Sequence, residues 1–126
     1  MNKKKDFFIY LGTLISTILL FRIFLWFYPN ANFNAGSYNV HHLYSGAFLL
    51  VIAAILLILG IKTKTLIAFA GFGSALVLDE LVYLIATDGS DRAYLGPESF
   101  YGAIALTSLI IIFVFVLIHY KRSPYG

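Results

Sequence analysis

The stretch GSALVLDELVYLIA, residues 73–86, decides the fold class of this chain. It is apolar enough to lie inside a membrane, and yet it carries two adjacent acids, Asp79 and Glu80. An ionised carboxylate near the centre of a bilayer costs about 2.5–3.5 kcal/mol even on scales that give low values. Something must offset that cost, so these two acids are the first candidates for a structural or functional role.

The composition of the whole chain places it in a membrane. Of its 126 residues, 60% are hydrophobic and only 12% are charged, whereas soluble domains average about 25% charged residues. Four apolar runs each reach the roughly 20 residues that a helix needs to cross the hydrocarbon core, and they lack the alternation of a barrel strand. These runs lie at about 7–28, 41–61, 65–87 and 98–120. The sequence therefore predicts an all-α fold, a four-helix transmembrane bundle that forms a single domain over residues 1–126.

The distribution of basic residues predicts the orientation. If the helices alternate in direction, seven basic residues share one side: Lys3, Lys4, Lys5, Lys62, Lys64, Lys121 and Arg122. Only Arg92 lies in a loop on the other side. The positive-inside rule then predicts a multi-pass protein of the cell membrane with both termini cytoplasmic. Because this asymmetry accounts for the net charge of +3, we expect membrane lipid as a partner and no nucleic acid.

The third run contains a patch of small residues, AFAGFGSA at 68–75. Small residues let transmembrane helices approach closely, which predicts that helix 3 is central in the bundle. The connection IKTKT, at 61–65, is very short and makes helices 2 and 3 an antiparallel hairpin. The surface of helix 2 that we expect to face this patch is formed by Ser45, Gly46, Ala53 and Ala54.

The ionisable residues of the runs converge on one level in the membrane. At 1.5 Å per residue, Asp79 and His42 differ in height by roughly 7 Å when measured from the hairpin tip. Arg22 reaches the same level from helix 1, which predicts that it pairs with Asp79 or Glu80. Further polar residues near that level are the candidate supporting residues Tyr44, Tyr83, Glu98 and Tyr101.

The sharpest functional hypothesis is a metal site. The chain has no cysteine, which leaves histidine and carboxylate as the main ligand types, and the candidates are His41, His42, Asp79 and Glu80. Two histidines with one or two carboxylates suit zinc best, and also iron or manganese. A zinc with an open position generates hydroxide, so the matching activity is hydrolysis of a lipid or another amphiphile, with Glu80 and Asp79 as catalytic residues.

Two other classes stay open. In one, the chain is a subunit of a proton- or cation-coupled transporter, and a homodimer supplies the room for a pathway. In the other, it is a non-catalytic membrane assembly protein whose Arg22 makes a structural ion pair with Asp79 or Glu80. The sequence identifies no substrate and does not decide whether the protein is an enzyme.

Overall fold

The fold is helical, as the sequence predicts. The structure is a computed structural model and describes residues 2–31, 34–36 and 38–120. Its helices are α1 (Lys3–Phe27), α2 (His42–Ile58), α3 (Lys64–Ala86), α4 (Asp91–Tyr94) and α5 (Pro97–Tyr120). The connection between α1 and α2 adds a pair of two-residue antiparallel strands, β1 (Asn34–Ala35) and β2 (Tyr38–Asn39). The apolar pattern does not predict these strands.

Three helices, α1, α3 and α5, are long and apolar enough to cross a membrane. The apolar helix α2 has 17 residues, so it extends about 25 Å at 1.5 Å per residue. It ends at Ile58 and not at residue 61, because Leu59 closes its last turn and Gly60 has a positive φ of 82°. The structure thus shows three long apolar helices and one shorter apolar helix in place of four equal runs.

The short helix α4 lies in a segment that the sequence predicts to be a loop. Ser90 is its N-cap, because the Ser90 hydroxyl accepts a hydrogen bond from the Ala93 backbone N–H. Pro97 then starts α5, in the first helical position that suits a residue without a backbone N–H. The Ser90 cap and Pro97 therefore fix the path of the chain between α3 and α5.

Helix α3 is central and contacts α1, α2 and α5, which confirms the prediction from its small residues. It runs parallel to α1, since Tyr10 donates to Ser74 at 2.8 Å and Arg22 reaches Asp79 further along both helices. Helices α2 and α5 run antiparallel to it. We call the end of the bundle where α1 and α3 finish, and where α2 and α5 begin, the upper end.

Two glycine contacts explain how closely α3 approaches its neighbours. A Cβ atom at Gly46 of α2 would lie 2.6 Å from the Gly73 carbonyl oxygen, and one at Gly71 would lie 2.5 Å from the Tyr10 carbonyl oxygen. Any side chain at either position would push the helices apart. Because glycine has no side chain, these two positions set the spacing of the helices. This spacing brings polar groups of α1, α2 and α3 within hydrogen-bonding reach at the upper end.

Candidate functional site

Asp79 and Glu80 lie inside the protein near the end of α3. Their exposed fractions are 1% and 4%, so both carboxylates depend on protein groups in place of water. Adjacent residues of a helix point about 100° apart. Asp79 accordingly meets α1 while Glu80 meets the start of α2.

Arg22 of α1 forms an ion pair with Asp79. The Arg22 Nε donates to Asp79 Oδ1 at 2.7 Å, a short charge-assisted hydrogen bond. The prediction that Arg22 pairs with one of the two acids is therefore confirmed. A guanidinium suits this place because its planar set of donors serves several acceptors at once.

The remaining donors of Arg22 bind oxygens of α3, α4 and α5. Its terminal nitrogens lie 3.3 Å from the carbonyl oxygens of Asp79, Tyr94 and Ser99, and 3.0 Å from the Ser99 hydroxyl. The guanidinium carbon also lies 4.8 Å from the centre of the Tyr94 ring, which is cation–π range. One arginine thus holds α1, α3, α4 and α5 together at the upper end.

Tyr94 of α4 is a second partner of Asp79. Its hydroxyl donates to Asp79 Oδ2, and its exposed fraction is 5%. Burial raises the pKa of the Tyr94 hydroxyl far above its ordinary value of 10.0, and the Asp79 carboxylate beside it raises the pKa further. Tyr94 therefore stays a hydrogen-bond donor throughout the physiological range.

Glu80 binds the start of α2. Its Oε2 accepts the backbone N–H of Leu43 at 2.8 Å, and its Oε1 lies 3.2 Å from His41 Nδ1. The first N–H groups of a helix have no partner within the helix, and the helix dipole favours an anion there. His41, at the N-cap, makes no side-chain cap, so Glu80 of α3 supplies the cap for α2.

His42 lies between the two carboxylates. Its Nε2 is 3.3 Å from Asp79 Oδ2, and its Nδ1 is 3.2 Å from Glu80 Oε1. The Nε2 is buried and has no hydrogen bond of good geometry within the described part of the chain. Each ring nitrogen of His42 therefore lies near a carboxylate oxygen. We call Arg22, His41, His42, Asp79 and Glu80 the charge cluster.

The candidate supporting residues divide into one inside the site and three at its edge or beyond. Tyr83 is 2% exposed, and its hydroxyl donates to the Gly89 carbonyl at 2.5 Å, not to a carboxylate. Tyr44 is 51% exposed and contacts only the edge of the cluster, through the His41 ring. Tyr101 is 67% exposed and Glu98 is also exposed; neither lines the cavity described below.

Sequence reasoning missed three groups of the site: Tyr94, Ser99 and the Leu43 backbone N–H. Tyr94 follows a sequence that looks like a loop, and its only signal is the Ser90 cap. Ser99 is fully buried, but a serine in the first turn of a helix is common without any such role. The Leu43 N–H carries no sequence signal at all, because every helix start has such a donor.

A cavity of about 160 Å³ adjoins the charge cluster at the upper end. His41, His42 and Glu80 form its polar wall, and the rings of Tyr83 and Tyr94 are also part of its lining. Its other walls include Phe21 and Phe24 of α1, Asp91 of α4, and Pro29, Ala31 and Val40 of the connection between α1 and α2. The cluster is therefore next to a space that a small ligand could occupy.

A larger groove of about 780 Å³ lies between α1 and α5, and neither Asp79 nor Glu80 is in its lining. Its walls are mostly aliphatic and aromatic, and Arg22 is its one charged lining residue in the described chain. The Arg22 donors already bind protein oxygens. We therefore assign the polar chemistry to the smaller cavity.

The metal hypothesis gains no support from the arrangement of ligands. Among residues 2–31, 34–36 and 38–120, no group of three or more histidines, cysteines or acids is placed to hold a metal ion. The carboxylate oxygens instead accept from Arg22, Tyr94 and the Leu43 N–H, and the imidazoles contact them directly.

Comparison with models of protein families, with curated proteins and with solved structures finds no match for this chain.

Proposed function

We propose that this chain is a four-pass protein of the cell membrane with both termini in the cytoplasm, and that it is a subunit of a proton- or cation-coupled transporter. In this proposal the charge cluster is the coupling site and opens to the outer side. The observation that carries the proposal is the charge of two buried carboxylates beside a single guanidinium. A charged side chain that lacks an opposite charge inside a membrane usually belongs to an ion or proton pathway.

The charge count leaves one position for a cation. Arg22 neutralises Asp79. Glu80 faces two imidazoles and a backbone N–H, and no arginine or lysine of the described residues forms an ion pair with it. A single positive charge beside Glu80 would therefore balance the cluster. A proton or another monovalent cation that enters and leaves this position would change the net charge inside the bundle by one unit.

The interface between α1 and α3 supports a route away from the cluster. Thr17 is 7% exposed on α1, and the Tyr10–Ser74 hydrogen bond lies further along the same interface. Thr17 is five residues from Arg22, and Ser74 is five from Asp79, about 7.5 Å along each helix. These hydroxyls place polar groups below the charge cluster, further from the upper end of the bundle. A homodimer would supply the remaining walls of a pathway.

Flux measurements test the proposal. The purified protein is reconstituted into liposomes that contain a pH-sensitive dye, and a pH step is applied from outside. We expect proton entry faster than in empty liposomes, and a loss of that excess in Glu80→Gln. Glu98→Gln is the matched control, because it removes an exposed acid near the same level and should keep the flux. A wild-type rate equal to that of empty liposomes would assign the cluster to a structural role.

Reporter fusions test the orientation separately. A reporter that is active only in the cytoplasm should be active at the C-terminus, because seven of the eight basic residues in the termini and connections lie on the predicted inner side. A reporter active only outside, at the same position, would reverse the orientation and place the cluster on the cytoplasmic side.

A metal-dependent membrane hydrolase acting on a lipid or amphiphile is the second candidate. It stays a prediction from the sequence, in which His41, His42, Asp79 and Glu80 hold the ion and zinc, iron or manganese supplies Lewis-acid chemistry. Both histidines contact the same oxygen of Glu80 through Nδ1, at 3.2 Å. Elemental analysis of protein purified without chelator or histidine tag tests it, and less than about one tenth of an equivalent of metal would rule it out.

A further inference from the structure

The cavity beside the charge cluster has aromatic walls. The rings of Tyr83 and Tyr94 meet edge to face, with centroids 5.4 Å apart at 90°. Phe21 lies 5.3 Å from His42 between ring centroids, and Phe24 is a further part of the lining. Aromatic rings around a small space bind organic cations through the negative faces of their π systems.

The cavity also has two acidic residues in its lining. Glu80 and Asp91 are among its lining residues, and no lysine or arginine is found in that lining within the described part of the chain. The presence of two carboxylates in the lining favours a cation over an anionic ligand.

Its size selects the kind of cation. At about 160 Å³, it is smaller than the roughly 300–1,000 Å³ of pockets that enclose drug-sized ligands. A strongly hydrated inorganic ion would gain little from the aromatic walls. A methylated ammonium group is compact and weakly hydrated, and it can contact rings and carboxylates together.

We propose that this cavity binds a small organic cation of the methylated-ammonium class through the Tyr83, Tyr94 and Phe24 rings and the Glu80 and Asp91 carboxylates. This inference rests on the proposed function and deepens it, since it names the class of cation carried. The cation reaches the site either as a free solute from outside or as the headgroup of a lipid in the outer leaflet. Both sources present the same trimethylammonium chemistry.

Calorimetric titration of the full chain in a maltoside detergent tests the proposal. The probes are choline and its uncharged carbon analogue 3,3-dimethyl-1-butanol, which differ in charge but hardly in shape. We expect saturable binding of choline and at least about tenfold weaker binding of the analogue, a difference of about 1.4 kcal/mol. Equal affinities would overturn the proposal, and so would the absence of saturable choline binding.

Variants locate the site. Asp91→Asn and Phe24→Leu each change one wall without touching the buried ion pair, and each should weaken choline binding by about threefold or more. Glu98→Gln changes an exposed acid outside the cavity lining and should leave the affinity unchanged. Unchanged binding in both wall variants would place any choline site elsewhere and refute the inference.

Two further measurements distinguish a free solute from a lipid headgroup, and this inference from the proposed function. In nanodiscs of anionic lipid, added phosphatidylcholine should compete with choline if the lipid headgroup fits, and should have no effect if only the free solute does. Flux that depends on Glu80, in a protein that fails to bind choline, would refute this inference and leave the proposed function standing. Choline binding without proton flux would refute the proposed function and leave the cation site standing.

Discussion

Replacing Arg22 should be among the most damaging single changes in this protein. Arg22→Leu leaves Asp79 charged at 1% exposure and removes the 2.7 Å bond from Nε. It also leaves the Ser99 hydroxyl and three carbonyl oxygens without this donor. Loss of one partner from a buried ion pair costs about 3–5 kcal/mol. Arg22→Lys keeps the charge but not the planar set of donors, so its cost should be intermediate.

The assay is the free energy of unfolding in detergent, extrapolated from a denaturant titration, with helix content checked by circular dichroism. Arg92→Leu is the matched control, since Arg92 is an exposed arginine in the same end of the bundle and should change stability by less than about 0.5 kcal/mol. Adding Asp79→Asn to Arg22→Leu should recover stability, with a coupling energy near the top of the range of about 0.5–3 kcal/mol. A cost below about 1 kcal/mol for Arg22→Leu, equal to that of Arg22→Lys, would show that Arg22 behaves as an exposed side chain and would refute the reasoning.

The other predictions concern Tyr94 and the glycine contacts. Tyr94→Phe should cost about 1.5–3 kcal/mol at pH 7, because the Asp79 carboxylate loses a buried donor. The folded state raises the Tyr94 pKa above its ordinary value of 10.0. The stabilisation from the protonated Tyr94 hydroxyl is therefore complete below pH 10 and falls by about 1.4 kcal/mol per pH unit above it. Unfolding titrations from pH 8 to 11 should show this extra slope in wild type and in Tyr120→Phe but not in Tyr94→Phe. Gly46→Ala should destabilise the bundle by about 1–3 kcal/mol, because the new Cβ would meet the Gly73 carbonyl oxygen at 2.6 Å. Gly12→Ala, where nothing lies within 4 Å of the new Cβ, should be neutral or stabilising by up to about 1 kcal/mol, and equal effects of the two substitutions would contradict the packing argument.

The sequence by itself determined the helical class and the level along the helices at which the charged residues lie. Apolar runs of sufficient length fix the helices, because a backbone in hydrocarbon must satisfy its own hydrogen bonds. Counting 1.5 Å per residue along antiparallel helices then gives the height of each side chain. Height alone was enough to bring Arg22, His42 and Asp79 together, and the small residues of 68–75 were enough to make α3 central.

Only the tertiary structure decided which of the charged side chains pair at this height in the bundle. Rotation of each helix about its axis directs Asp79 to Arg22 and Glu80 to the start of α2, and no periodic pattern encodes this, since both acids lie within one apolar run. Tyr94 enters the site because Ser90 caps a helical turn and directs the chain back over Asp79. Bond directions and loop paths are three-dimensional properties, whereas the sequence pattern gives only position along an axis. For that reason the sequence identified the members of the charge cluster, and the fold alone determined which of them bind each other.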